Sequence, residues 1–246
     1  MGNPTGPTVV VVGGSSGLGK VVARRWARDG YRVAIVSRNI PAFIGESDIL
    51  HHFPADLVTL SSDAANQLAE RIISSLGKIT YVMFCQRYRG TQRNLANEMA
   101  VSITSTDLMI QAFRPHFVTK GDRAIAAIGS VYADFVGSSQ PLSYHVVKAA
   151  LNALVRFYAV VLGPDGIRVN SISPLTYLKD ESRHVYLNNP KTLEKYSRIV
   201  PLGRMPEASE CANTLLYLCS SQASFVSGQV LYVDGGLSVV WPEELA

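Results

Sequence analysis

A doubly wound parallel α/β sheet, with helices on both faces and formed as a single domain, is the fold that this sequence predicts. Three observations predict it. Short β-branched apolar runs alternate with stretches of helical apolar spacing along nearly the whole chain. The first of these runs ends in a glycine-rich turn that opens a helix. At 246 residues, 47% hydrophobic and 17% charged, the chain can bury one large core, and no stretch combines low hydrophobicity with high charge.

Thr8–Val12 is a run suited to a strand buried on both faces of a parallel sheet. Leu18, Val21, Val22 and Trp26 recur at helical spacing up to the break at Gly30, and 33–36 reads as a second buried strand, so the chain opens on a βαβ unit. A short strand before Asp56 follows, then a helix carrying Leu68, Ile72 and Leu76, and a strand over 79–85. The next helix reaches about Phe113 and is ended by Pro115, whose ring cannot continue it. A strand at Ala124–Ile128, a long helix over about 144–162, a strand at 167–171 and a late strand at Val230–Val233 complete the alternation. Residues 1–7 carry no such pattern and are expected to be flexible. Ligands of sheets of this kind bind at the carboxyl ends of the strands.

Composition excludes several other classes. No apolar run approaches the roughly 18 to 20 residues needed to cross a bilayer, and the start MGNPTGPT lacks a cationic and apolar leader, so a cytoplasmic protein that does not insert in membranes is expected. Cys85, Cys211 and Cys219 lack the spacing of a metal site and read as buried thiols, and no metal is expected. The net charge of +4 is spread along the chain without a basic run, which argues against nucleic acid as a partner.

The turn VGGSSGLG places Gly13, Gly17 and Gly19 where the backbone must turn tightly and approach a pyrophosphate, while the helix start offers free amides to its charge. Alone such a turn is as often an ordinary tight turn, and the strand-turn-helix setting favours a dinucleotide turn of the Rossmann type. The second strand ends at Ser37-Arg38, where an enzyme preferring NAD usually has an acid on the ribose 2′-hydroxyl. An arginine there can pair instead with the 2′-phosphate of NADP, the plain alternative being a solvated surface arginine. Asp56 can accept from the adenine amino group or simply cap a turn. Tyr144 and Lys148, four residues apart, project from one helix face, so the ammonium favours the phenolate and suits tyrosine to acid–base work. Ser130, just past the fifth strand, can bond the same substrate oxygen.

With these residues the chain resembles the short-chain dehydrogenase/reductase family over nearly its whole length. VGGSSGLG, IGSV around Ser130, YHVVK, GIRVNSISP and the closing stretch up to Gly235-Gly236 carry the resemblance. It implies an NADP(H)-dependent oxidoreductase that moves a hydride between the nicotinamide and a carbonyl or alcohol carbon of a small molecule. Tyr144 would be the proton carrier, Ser130 would position the substrate, and Lys148 would also bind the nicotinamide ribose. The implied cofactor contacts are Gly13, Ser15, Ser16, Gly17, Leu18, Gly19, Ser37, Arg38, Asp56, Leu57, Pro174 and Thr176, together with Tyr144 and Lys148. Relatives pair through their fourth and fifth helices, which implies a homodimer or homotetramer.

Two departures stand out. Where the family has NNAG after the fourth strand, this chain reads FCQR over Phe84 to Arg87, followed by Tyr88, Arg89 and Gly90. Ser102 aligns where an asparagine completes the catalytic tetrad and its water relay. Serine can still hold water, so slower proton exchange is expected before loss of activity. Val12, often threonine in the family, is a smaller departure. Leu175 to about Arg204 corresponds to the segment that folds over the substrate, and its Lys179, Arg183, His184, Lys191 and Lys195 suit either an anionic substrate or a solvated lid. Arg87, Arg89 and Arg93 raise the same pair of readings. Three functions therefore stand: a reversible ketoreductase or alcohol dehydrogenase, which the Ser130, Tyr144 and Lys148 set favours; a non-redox or double-bond reaction on the same fold; and a cofactor-binding protein with degraded catalysis.

Overall fold

The computed structural model describes residues 6–90 and 94–245. Seven strands form one parallel sheet: β1 (Thr8–Val12), β2 (Arg32–Ser37), β3 (Leu50–Pro54), β4 (Ile79–Phe84), β5 (Ala124–Ile128), β6 (Arg168–Pro174) and β7 (Val230–Val233). Their order across the sheet is β3-β2-β1-β4-β5-β6-β7. The order reverses between β1 and β4, and at such a switch point the connections leave in opposite directions and open a crevice at the carboxyl ends.

Alternation along each strand divides the core in two. Val10 and Val12 of β1 join the layer beneath α2 (Ser62–Leu76), α4 (Ser105–Phe113) and α5 (Leu142–Val161). Val9 and Val11 point the other way, into the layer beneath α1 (Gly17–Arg28) and α8 (Ala208–Leu218). Side chains two apart share a face of a strand, so a sheet covered on both sides needs apolar residues at every position, as the fully buried β1 shows. No described helix is long and apolar enough to cross a membrane.

The strand pattern read from the sequence matches this sheet, with β4 ending one residue before 85 and β6 starting one residue after 167 and running three beyond 171. Three features differ. The helix ahead of Pro115 is broken: α3 (Leu95–Met99) passes into a π turn over Ala100–Thr104 before α4 begins. There the Ser105 and Thr106 hydroxyls bond back to the Val101 and Ser102 carbonyls, at 2.7 and 2.9 Å, which favours a widened turn. The segment 175–204 carries α6 (Arg183–Leu187) and α7 (Pro190–Ile199), and α8 follows it, none of which the spacing announces. At the N-terminal end, Arg32 holds the Gly6 and Pro7 carbonyls through its Nε and its backbone N–H, while residues 1–5 lie outside the described residues.

The amino ends of β5 and β6 are joined by an ion pair between a buried arginine and a partly exposed carboxylate. Arg168 donates to both Asp122 oxygens at 3.0 and 3.1 Å, and to the Leu218 and Ser220 carbonyls at and just after the end of α8 at 2.8 and 3.1 Å. The Tyr81 hydroxyl donates to Asp122 at 2.9 Å.

Candidate active site

A cleft runs along the carboxyl ends of the strands in two connected cavities that share Ser16, Cys85, Gln86, Arg87 and Arg89. The first is walled by the glycine turn and the ends of β2 and β3: Gly13, Ser15, Ser16, Ser37, Arg38, Asp56 and Leu57. The second holds Leu18, Ser130, Tyr144, Lys148, Pro174 and Thr176, with Tyr177 and Lys179 from the following segment. The structure thus gathers nearly all of the residues singled out in the sequence along one groove. Gly17 and Gly19 act behind its wall, and Ser102 lies in the π turn, buried and away from the lining. Arg93 lies outside the described residues.

The glycines are used as backbone. Gly13 has φ +77°, and a Cβ there would meet the Gln86 backbone at 2.5 Å. A Cβ on Gly19 would meet the Gly13 carbonyl oxygen at 2.5 Å and the Cys85 Cβ at 3.0 Å, so side chains at these points would force β1 and β4 apart from the turn. At the start of α1 the Gly17 N–H donates to Glu181 Oε1 at 2.9 Å, and Lys20 Nζ lies 3.2 Å from Asp180 Oδ2. A carboxylate of the chain itself therefore occupies the anion position at this helix end. Burial works to raise the Glu181 pKa, but the Gly17 amide, Lys20 and Arg89 outweigh it, and the carboxyl lies below its ordinary range. Glu181 is a contact that the sequence does not reveal, since it joins residues 164 apart.

Arg38 projects from the end of β2 as an exposed side chain, with no ion pair among the described residues. Ser37 turns its hydroxyl to the Asn39 carbonyl at 2.9 Å. Asp56 caps its own turn by accepting from the Val58 N–H at 3.0 Å, which leaves its second oxygen uncommitted to any described hydrogen bond.

In the second cavity Lys148 is almost wholly buried, and its Nζ donates to the Ile128 carbonyl at 2.6 Å. The same nitrogen lies 5.6 Å from the centre of the Tyr144 ring, as the four-residue spacing on α5 requires. Burial pulls the Lys148 pKa below the ordinary lysine range, against the attraction of Tyr144, and Arg87 adds to the lowering. Ser130 is buried where β5 gives way to a short helical turn, and its Oγ accepts from the Tyr132 N–H at 3.3 Å. Tyr132 stands edge-on to Tyr144, with ring centres 6.1 Å apart. His145 ties the 137–141 loop over this wall, accepting the Gly137 N–H at Nε2 and bonding the Pro141 carbonyl through Nδ1.

The FCQR stretch has been rebuilt around polar side chains. Gln86 Nε2 donates to Thr106 Oγ1 at 2.7 Å, which ties the turn to α4. The Arg87 guanidinium lies over the Tyr144 ring, 4.4 Å from its centre, and donates to Gln140 Oε1 at 3.0 Å. Burial raises the Cys85 thiol well above its ordinary range, as expected of an inert wall residue. The geometry can therefore hold an anionic, extended ligand along the first cavity, and at the far end it can pass a proton through a tyrosine hydroxyl to an oxygen held by a serine.

Residues 12–238 match a family model described as enoyl-(acyl carrier protein) reductase. The chain is 30% identical to an L-rhamnose 1-dehydrogenase (NAD(P)(+)) of Azotobacter vinelandii, over 94% of this chain and 96% of that protein. It is 28% identical to a galactitol 2-dehydrogenase (L-tagatose-forming) of Cereibacter sphaeroides, over 95% and 96%. Among solved structures, a short-chain type dehydrogenase/reductase from Mycobacterium ulcerans matches with a TM-score of 0.84 at 27% identity, over 95% of this chain and 90% of that one. The Pseudomonas aeruginosa RhlG/NADP active-site complex matches with a TM-score of 0.79 at 26% identity, over 96% and 99%.

Proposed function

Because the chain belongs to the short-chain dehydrogenase/reductase family, we propose that it is an NADP(H)-dependent oxidoreductase acting on a carbonyl or alcohol carbon of a small molecule. The observation that carries this reading is the single cleft with Arg38 at one end and Ser130, Tyr144 and Lys148 at the other.

The residues fit the cofactor. The helix-end amide that would meet a pyrophosphate already holds a carboxylate, and Arg38 is a cation without an acid where a 2′-phosphate would lie. Ser15, Ser16 and Leu57 would line the path of the adenosine half, while Pro174, Thr176 and Lys148 would flank the nicotinamide ribose. Bound NADP(H) supplies or accepts the hydride. In the reducing direction the Tyr144 hydroxyl gives its proton to the carbonyl oxygen, and Ser130 donates a hydrogen bond to the same oxygen. Lys148, anchored on the Ile128 carbonyl, favours the phenolate left behind by its charge. Ser102, buried in the π turn, would support the water relay to Lys148 through its hydroxyl, which both donates and accepts. The segment 175–204 would cover the substrate.

The first test is cofactor preference by equilibrium titration. NADPH should bind about 10 to 100 times more tightly than NADH, the range set by one charge-assisted contact, and Arg38→Ala should remove most of that difference. Equal affinities in the unmodified protein would refute the NADP assignment. Oxidation of NADPH by a panel of ketones, followed by absorbance, separates this reading from a non-redox or purely cofactor-binding role.

Assembly is expected as well. Leu142, Val146, Phe157 and Val160 leave an apolar stripe of α5 exposed on one chain, which pairing with a second copy would bury. Light scattering at micromolar concentration should report a dimer or tetramer, and a monomer would count decisively against it.

A further inference from the structure

We propose that Arg87 makes this cleft selective for substrates with a carboxylate close to the reacting carbon, so that the enzyme interconverts a short oxo acid and its hydroxy acid. The inference rests on the oxidoreductase reading above. In the reducing direction the carbonyl carbon gains the hydride, its oxygen gains the Tyr144 proton, the nicotinamide is oxidised, and the carboxylate passes through unchanged.

Position is the first argument. Arg87 lies over the face of the ring whose hydroxyl serves the reacting oxygen, with its guanidinium carbon 4.4 Å from the ring centre. An anion bound to that guanidinium sits within a few bonds of a carbonyl bound to the hydroxyl.

Unspent capacity is the second. A guanidinium has five N–H donors in a planar fork. Among the described residues Arg87 donates only to the neutral Gln140 side chain, and its Nε, shut away from solvent, has no partner. No described carboxylate pairs with it.

Charge balance is the third. Arg87, Arg89, Lys148 and Lys179 line the second cavity, and no Asp or Glu does. Burial, with Arg89 and Arg87 adding to it, holds Lys179 below its ordinary range against the pull of Glu181. Arg89 and Lys179 reach toward Gly17, with atoms 3.7 and 3.9 Å from where its Cβ would stand. They are therefore placed to serve the phosphates expected at that helix end; Lys148 is already bonded to the Ile128 carbonyl, and Arg87 is the cation left over the Tyr144 ring with donors to spare.

The test compares acetoacetate with methyl acetoacetate, which share a carbon skeleton and differ in charge. With NADPH, the unmodified enzyme should show a kcat/KM at least tenfold higher for the acid. Arg87→Ala should cut the acid-to-ester ratio at least tenfold, and Arg87→Lys should restore part of it. A ratio near one in the unmodified enzyme, or an unchanged ratio in Arg87→Ala, would overturn the proposal. Calorimetric titration of acetoacetate into the protein alone decides the matter where turnover is too slow: binding that Arg87→Ala weakens at least tenfold supports it, and binding that is absent or insensitive to Arg87→Ala overturns it. Failure of NADPH to bind in a parallel titration would instead defeat the oxidoreductase reading and leave the acetoacetate result to judge Arg87 by itself.

Discussion

Tyr144→Phe should lower kcat by roughly a thousandfold while leaving NADPH affinity within about twofold, because positioned proton transfer contributes on the order of 10² to 10⁴ in rate. The substitution removes one oxygen and keeps the ring that lies beneath Arg87 and beside Lys148. Lys148→Ala should behave differently. Its ammonium is buried against the Ile128 carbonyl and lines the cavity expected to hold the nicotinamide ribose, so both turnover and cofactor affinity should fall. Stopped-flow or steady-state rates, paired with fluorescence titration of NADPH, separate the two outcomes. Turnover of Tyr144→Phe at the unmodified rate would end the assignment of Tyr144 as proton carrier.

The second large effect lies at the opposite end of the sheet. Arg168→Ala should destabilise the fold by about 2 to 4 kcal/mol, less than for a fully buried pair because Asp122 keeps some solvent and the Tyr81 hydroxyl. The Arg168 side chain is 9% exposed and that of Asp122 20%. Its loss would leave Asp122 with the Tyr81 hydroxyl in place of a guanidinium and release the carbonyls of Leu218 and Ser220, which join the end of α8 to the amino ends of β5 and β6. Thermal unfolding should shift down by roughly 10 °C, taking about 2 to 4 °C per kcal/mol for a chain of this size. In a double-mutant cycle, Asp122→Asn should cost much less in the Arg168→Ala background than alone. Fully additive costs would mean that the two side chains are not coupled. Since the cleft lies at the carboxyl ends, cofactor binding below the transition should survive.

How much of this could be read from the chain depends on the range of each interaction. The strands were legible because a sheet covered on both faces demands apolar, β-branched side chains at consecutive positions, as in Val9 to Val12. The Tyr144 and Lys148 pair was legible because one helical turn fixes it. The helix α8 was not, since its buried face includes the small Ala208, Cys211 and Ala212, and its start is a capping box of Glu207 and Glu210 rather than a Ser, Thr, Asp or Asn cap. In α7, by contrast, Asn189 caps and Pro190 opens the helix, a start signal that sits in a stretch otherwise read as a solvated lid. The π turn around Ser102 depends on hydroxyls choosing backbone carbonyls over solvent, which no periodicity records. Arg87 could be seen to interrupt a family pattern, but its seat over Tyr144 joins β4 to α5 and only the folded chain shows it.

The carboxylate of Glu181 on the first amide of α1 bears on what a ligand must displace. A dinucleotide phosphate seeking that amide arrives as a replacement, because the chain's own anion must leave first. The chain behind it is fixed, because the Leu178 N–H donates to the Pro206 carbonyl at 2.9 Å and the Leu178 carbonyl accepts from the Ala208 N–H at 3.0 Å, and Tyr177 packs into the layer beneath α1 and α8. The exchange is therefore confined to one side chain, and the second cavity keeps the wall formed by Tyr177 and Lys179 whether the first is empty or filled.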